Sequence, residues 1–201
     1  FIYNGAKQHG EGGVYVSMDE TPHHFYQEMA KFGWDFQGLK LDGKFRFVDA
    51  SPVGRAGSRT PGLSIGSRGF SIEKLVRVIR SEVEAINAQR IAIDPLTSLI
   101  FQYPDAVERR TAILRIVQAL LEMGITSILT TELRYEGLQR SVQLEEYLAH
   151  GVIILQTMKV GRSFVRVLRV EKMRGTRIND QPKPYRITDR GIEVYPRESI
   201  L

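Results

Sequence analysis

The stretch that most constrains the fold is Arg90-Ile91-Ala92-Ile93-Asp94, in which an apolar run leads into an acid and Pro95 follows. A continuously apolar run of this length is typical of a strand that is buried on both faces of a parallel sheet. Pro95 has no N–H group and therefore ends the pairing. Because α/β proteins bind ligands outside the carboxyl ends of such strands, Asp94 is predicted to lie at a ligand-binding edge.

Asp94 itself has two interpretations at this point. In nucleotide hydrolases an acid in this place is the Walker B residue, which holds magnesium directly or through water. The alternative is a carboxylate that only caps the segment that follows. The rest of the chain has to decide between them.

The remaining segments predict alternating strands and helices. Strands are predicted at Val14–Ser17, Phe45–Ala50, Thr126–Thr131 and Val152–Leu155, and helices at about 21–32, 71–88, 105–123 and 140–149. The tail alternates and is broken by turns, as antiparallel strands are, from Phe164 to Glu171 and from Tyr185 to Tyr195. The pattern predicts an α/β fold with a mostly parallel sheet flanked by helices and an antiparallel edge.

The composition restricts the function classes. At 201 residues the chain suits one domain. The absence of cysteine excludes disulfides and zinc-thiolate sites and fits a reducing cytoplasm. No apolar run approaches the roughly 20 residues that a membrane span needs, so we expect a cytoplasmic protein without a membrane partner. The net charge of +5 permits an anionic partner such as a nucleotide or nucleic acid, although the basic residues are spread along the whole chain.

Two further groups of charged residues follow predicted strands. Asp19 and Glu20 follow the strand at Val14–Ser17, where a carboxylate can orient or deprotonate the water that attacks a γ-phosphate. The alternative is a solvated turn before a helix, where the helix dipole favours acids. Lys172 and Arg174 follow the long tail strand and can point at a phosphate of a neighbouring subunit, as an arginine finger does. The alternative for this pair is two exposed charges near a strand end.

No phosphate-binding loop of the form G-x-x-x-x-G-K-[ST] is found in the sequence. The near-match at residues 38–45 ends in Phe45 instead of a hydroxyl residue, and it precedes a strand instead of joining a strand to a helix. We therefore interpret this segment as a turn. The Gly-rich segment 51–70 is either a solvated connector or a basic loop that touches a partner subunit or an anionic chain. Its arginines are Arg55, Arg59 and Arg68.

Taken together, the segments resemble the KaiC family, a branch of the RecA-like ATPases. The segments that carry the resemblance are Phe1–Ala6, Val14–Asp35, Asp94–Leu99, Thr130–Glu132, Lys172–Thr176 and Tyr185–Ile192. The first resembles the end of the helix after the family's P-loop, and the second resembles the strand with two acids and its Thr-Pro helix. The third resembles the Walker B region and the fourth the end of the next core strand. The last two resemble C-terminal signatures of the family. The resemblance spans nearly the whole chain.

The resemblance implies a single RecA-like ATPase domain over residues 1–201, with the family's P-loop lying before residue 1. It also implies binding of ATP and Mg²⁺ and a hexameric ring that holds the nucleotide between subunits. By position, Asp19 and Glu20 match the catalytic acid pair, although the family usually has Glu at the first place. The shorter side chain of Asp19 leaves open which of the two is the main catalytic acid.

Three more site residues are carried over in the same way, beside Asp94 as the Walker B acid. Lys172 and Arg174 match residues that reach the neighbour's ATP, and Thr176 lies near them. Autokinase members of the family carry adjacent Ser and Thr phosphoacceptors where this chain has Glu146 and Tyr147. The resemblance therefore favours ATP hydrolysis over Ser/Thr autophosphorylation.

Two other functions remain open at this point. One is a recombinase-like or helicase-like ATPase that binds nucleic acid with the arginines of segment 51–70, although that segment has no interleaved aromatic residues to stack bases. The other is a signalling scaffold with slow turnover, in which nucleotide binding controls assembly with itself or with a protein partner.

Overall fold

The structure is a computed structural model that describes residues 1–51, 70–136 and 139–198. The chain divides into two compact units, Phe1–Ser141 and Val142–Leu201, which are described separately below. The arginines predicted for a basic loop, Arg55, Arg59 and Arg68, lie outside the described residues. Over the part of the chain that is described, no helix has both the length and the apolarity to cross a membrane.

The first unit contains a four-stranded sheet in which every pair is parallel. Its strands, in the order β2-β1-β3-β4, are β1 (Gly13–Ser17), β2 (Phe45–Asp49), β3 (Arg90–Asp94) and β4 (Thr126–Leu129). Ile91 and Ile93 of β3 are fully buried. The parallel sheet predicted from the apolar run before Asp94 is therefore confirmed, and β3 lies inside it.

Helices surround this sheet, and three of the six in the described part of this unit lie within three residues of the ranges predicted at 21–32, 71–88 and 105–123. They are α1 (Ile2–His9), α2 (Pro22–Lys31), α3 (Phe36–Leu41), α4 (Ile72–Ala85), α5 (Leu96–Ile100) and α6 (Ala106–Met123). The Ser71 side chain accepts a hydrogen bond from the Lys74 N–H and starts α4. Asp105 caps α6 in the same way, and Gly124, with φ of 66°, ends it in the left-handed conformation.

Helix α3, like the short helix α5, is an element that the sequence did not predict. The Asp35 carboxylate accepts from the Gly38 N–H at 2.7 Å and starts the helix. Gly43, with φ of 67°, then turns the chain into β2. The near-match to a phosphate-binding loop is thus a helix end and a turn that lead into a strand, a connection opposite to the strand-to-helix order that phosphate binding needs.

One face of the sheet carries an aromatic cluster, which we define by its buried and partly buried members. The buried residues are Ile2, Ala6, Phe25, Phe36, Leu39 and Phe45, and the partly buried aromatic residues are Tyr3, Tyr15, Tyr26, Trp34 and Phe47. Because successive strand residues point to opposite faces, Val14 and Val16 lie on the other face, where both are fully buried. The aromatic cluster therefore joins α1, α2 and α3 to the sheet beneath the carboxyl end of β1.

The second unit is one short helix and an antiparallel sheet. Its elements are α7 (Leu144–Leu148), β7 (Gly151–Val160), β8 (Ser163–Met173), β9 (Lys183–Thr188) and β10 (Gly191–Val194). The strand order β10-β9-β8-β7 follows the chain, as successive hairpins do. The antiparallel tail is confirmed, but it is a separate sheet and not an edge of the parallel one, because each tail strand pairs with its neighbour in sequence. A two-stranded ribbon, β5 (Arg134–Glu136) and β6 (Gln139–Ser141), ends the first unit.

Candidate active site

The carboxyl ends of β1 and β3 lie side by side. Ser17, the last residue of β1, is in register with Asp94, the last residue of β3. Just beyond the ladder, the Met18 N–H donates to the Asp94 carbonyl at 2.8 Å. Asp19 and Glu20 come next in the chain and therefore leave the sheet beside Asp94. The structure thus brings together the three acids that the sequence singled out in this unit.

Two hydroxyl groups hold the half-buried side chain of Asp94. The Tyr15 hydroxyl donates to Asp94 Oδ2 at 2.6 Å, and the Thr130 hydroxyl, just after β4, donates to Asp94 Oδ1. The following helix α5 has Pro95 at its N-cap and no side-chain cap. Asp94 is therefore oriented by groups from the two strands beside β3 and does not act as a helix cap.

Asp19 and Glu20 have different surroundings. The Ser98 hydroxyl of α5 donates to Asp19 Oδ1 at 2.6 Å, which fixes this exposed carboxylate. Burial raises the pKa of Glu20, the neighbouring Glu28 and Asp94 carboxylates add to the shift, and His24 opposes it. A carboxyl group whose pKa is raised toward neutrality is better suited to accept a proton than an ordinary glutamate.

Backbone contacts fix the loops around these acids. The Glu20 N–H donates to Ser17 Oγ at 2.8 Å and holds the turn that carries the acid pair. The Leu96 N–H donates to the Thr130 carbonyl at 2.8 Å, so the start of α5 is tied to the segment after β4. Thr97 extends this tie, since its hydroxyl oxygen accepts from the Glu132 N–H at 3.1 Å. The edge that carries the three acids is therefore an ordered part of the unit.

The second unit holds the other residues predicted for the site. Lys172 Nζ donates to the carbonyls of Glu146 and Tyr147 at 2.9 and 3.0 Å, and Arg174 Nη2 donates to the Tyr147 carbonyl at 2.9 Å. These are carbonyls of α7 near its C-terminus, where cations are favoured by the helix dipole. Lys172 and Arg174 are thus held by backbone groups and are not free charges at a strand end. Thr176 is exposed in the turn that follows, where its N–H donates to the Met173 carbonyl at 3.4 Å.

Sequence reasoning missed Tyr15 and Ser98 as parts of this arrangement. Both contact an acid that lies 79 residues away along the chain. The one available signal was periodicity, since Tyr15 shares a strand face with Ser17 at the end of β1. Periodicity alone does not link Tyr15 to Asp94, because the link also requires knowing which strand lies beside β1.

The parallel sheet between helices, with acids at two neighbouring strand ends, is that of an α/β protein and agrees with the RecA-like class that the sequence resembles. The sequence profile of the KaiC ATPase family matches residues 1–199, and the chain therefore belongs to this family. The circadian clock oscillator protein KaiC of Synechococcus elongatus is 34% identical over 98% of this chain and 37% of that protein. A UPF0273 protein of Pyrococcus furiosus is 34% identical over 98% of this chain and 78% of that protein.

A solved structure supports the same assignment. A KaiC-like protein of Pyrococcus horikoshii superposes with a TM-score of 0.80 at 35% identity, over 98% of this chain and 81% of that one. The RecA-like fold predicted from the sequence is thereby confirmed. The chain spans only about a third of the length of the KaiC proteins that it matches, at 35–37%.

Proposed function

We propose that this chain is an ATP-binding and ATP-hydrolysing domain that depends on Mg²⁺ and works in a hexameric ring, with nucleotide between subunits. The observation that supports it most is the meeting of Asp19, Glu20 and Asp94 at one edge of the parallel sheet. Membership of the KaiC ATPase family implies nucleotide binding. A single RecA-like domain over residues 1–201, with the phosphate-binding loop before residue 1, is part of the proposal.

The donor groups fit a magnesium ion that is held largely by phosphates and water. Among the described residues, no group of three or more His, Cys, Asp and Glu side chains is arranged to hold a metal by itself. Mg²⁺ commonly keeps several waters and uses one or two carboxylates plus substrate phosphates. Asp94 supplies such a carboxylate. The ion would neutralise charge on the phosphates when bound.

The two acids after β1 divide the work on the attacking water. Glu20, whose pKa is raised by burial and by neighbouring carboxylates, is the better proton acceptor. Asp19 is fixed by Ser98, so it serves to orient the water. In this proposal the shorter side chain of Asp19 does not limit the reaction, because Glu20 accepts the proton.

Lys172 and Arg174 would act on nucleotide bound to the neighbouring subunit, with Thr176 beside them. Arginine or lysine supplied in trans stabilises the charge that develops during phosphoryl transfer. Their bonds to the α7 carbonyls hold both charged groups in place before nucleotide arrives. Exchange of these backbone acceptors for phosphate oxygens would link nucleotide binding to the end of α7.

The test is magnesium-dependent ATP hydrolysis by the protein expressed with any sequence that its gene encodes ahead of residue 1. Asp94→Asn removes the charge that supports the ion, and we expect turnover to fall by at least about a hundredfold. Asp49→Asn is the matched control, because Asp49 also ends a strand beside β1 but bonds to Ser51 instead. Undiminished turnover in Asp94→Asn refutes the assignment of this acid, and equal losses in both variants point to general damage.

A further inference from the structure

The placement of Tyr15 follows from the register of β1 and β3. Tyr15 lies opposite Ala92, two residues before the pair formed by Ser17 and Asp94. Residues two apart on a strand share a face, so Tyr15 is the diagonal neighbour of Asp94 on one face of the sheet. An aromatic side chain is long enough to cross this diagonal, and its hydroxyl donates to Asp94 Oδ2 at 2.6 Å.

The ring of Tyr15 is held on two sides. It stacks on Phe25 of α2 with ring centroids 4.7 Å apart and contacts Phe47 of β2 at 5.6 Å. A tyrosine has only two side-chain torsions before its hydroxyl, and this packing restricts both. The hydroxyl therefore has a fixed position relative to β3 and does not depend on a mobile loop.

Tyr15 also remains a hydrogen-bond donor. Burial raises its pKa, and the hydrogen bond to Asp94 and the charges of Asp94, Glu20 and Asp19 add to the shift. The phenol thus keeps its proton and donates it to the hydrogen bond with Asp94 Oδ2. With Thr130 donating to the other oxygen, the carboxylate plane is fixed from two sides.

We infer that Tyr15 is a positioning residue that holds the Asp94 carboxylate in the orientation that supports magnesium; this rests on the function proposed above. Each carboxylate oxygen has two lone pairs, and one hydroxyl bond leaves one of them for the ion or its water. Loss of the hydroxyl releases one side of the carboxylate without changing its charge. The cost should therefore fall on magnesium affinity and not on nucleotide affinity.

The decisive variant is Tyr15→Phe, which keeps the ring and its stacking and removes only the hydroxyl. Tyr26→Phe is the matched control: Tyr26 belongs to the same aromatic cluster, and within the described residues its buried hydroxyl has no hydrogen-bond partner. The magnesium concentration is varied while the rate of ATP hydrolysis is measured. In a separate titration, the affinity for a fluorescent ADP analogue is measured over the same magnesium concentrations. A hydrogen bond to a charged group predicts an increase of about tenfold in the magnesium half-saturation concentration for Tyr15→Phe. We expect less than about a twofold change for Tyr26→Phe, and for Tyr15→Phe an unchanged ATP KM at saturating magnesium.

A second measurement needs no nucleotide. Unfolding of the same protein is followed for Tyr15→Phe, Asp94→Ala and the double variant, and a double-mutant cycle should give a coupling of about tenfold in the unfolding equilibrium constant. An unchanged magnesium half-saturation in Tyr15→Phe, or a fall in kcat with no magnesium shift, overturns the inference even if the cycle shows coupling. A wild-type protein that neither binds nor hydrolyses magnesium nucleotide refutes the proposed function and the magnesium role of Tyr15 together. In that case, coupling in the cycle would still establish the Tyr15–Asp94 hydrogen bond.

Discussion

The aromatic cluster beneath the site gives the sharpest stability prediction, through Phe25. This side chain of α2 is 3% exposed. Its ring lies 4.7–5.7 Å from five other aromatic rings, measured between centroids. Those rings belong to Tyr15, Tyr26, Phe36, Phe45 and Phe47. Because the neighbours come from three different elements besides α2, they cannot all move into the space that a smaller residue leaves.

The magnitude follows from this packing. Truncation of a buried phenylalanine to alanine costs about 3–5 kcal/mol, and the cost is higher where the cavity cannot collapse. Aromatic pairs contribute about 0.5–1.5 kcal/mol each beyond their buried area, and the measured cost of truncation already includes this contribution. We therefore expect Phe25→Ala to lower the free energy of unfolding of the first unit by about 4 kcal/mol. With a urea slope of about 2 kcal/mol/M, the midpoint moves down by about 2 M.

The assay uses the fluorescence of Trp34, the chain's one tryptophan, which packs against the same cluster and stacks on Tyr3 at 5.5 Å. Trp34 lies in the first unit, so its fluorescence follows the unfolding of that unit. Leu41→Ala is the control, because this leucine ends α3 with 88% of its surface exposed, and it should cost less than about 0.5 kcal/mol. A loss in Phe25→Ala within about 1 kcal/mol of the control would refute the rigid-cluster argument.

Two further predictions concern the acids and the cations. Glu20→Gln should stabilise the first unit at neutral pH, because burial, ahead of Glu28 and Asp94, raises the pKa of Glu20 above its ordinary value of 4.5. A raised carboxyl pKa means that wild-type stability falls as pH rises from the unfolded pKa through the folded one, so the advantage of Glu20→Gln should vanish in acid. Urea titrations from pH 4 to 8 test this, and an advantage independent of pH contradicts it. For the cations, Arg174→Ala is mixed with an Asp19→Asn/Glu20→Gln double variant. The mixture should regain ATP hydrolysis, because an intact Arg174 and an intact acid pair then meet between neighbouring subunits. Verified mixed rings that recover no hydrolysis count against action in trans.

Much of the fold was accessible from sequence because local chemistry agrees with tertiary structure at most elements. The apolar run of β3, the Ser71 cap of α4 and the Gly124 end of α6 each act through neighbours in the chain. Helix α3 was missed because its six residues include Gly38, and its stability comes from burial of Phe36 and Leu39 in the aromatic cluster. Short helices of this kind depend on tertiary contacts that no local pattern shows.

The residues of the site also fall into those that local sequence predicts and those that depend on tertiary structure. The acids at the strand ends could be predicted, because a strand that ends in an acid marks an edge of the sheet whatever its neighbours are. Tyr15 and Ser98 could not, since each reaches its acid only through the order β1-β3 and the position of α5. The bonds of Lys172 and Arg174 to α7 likewise depend on the path of the chain between Tyr147 and the end of β8.

The partners of the three acids also bear on what the edge is built to hold. Among the ion pairs of the described residues, none involves Asp19, Glu20 or Asp94. Neutral hydroxyl groups donate to these acids instead: Ser98 donates to Asp19, and Tyr15 and Thr130 donate to the two oxygens of Asp94. Hydroxyl groups fix the direction of a carboxylate without cancelling its charge, whereas a lysine or arginine would do both. The edge therefore orients its carboxylates without pairing them with cations. Burial is the main cause of the raised pKa of Glu20, and repulsion from the Glu28 and Asp94 carboxylates adds to it. A divalent cation is the kind of ligand that would offset this repulsion.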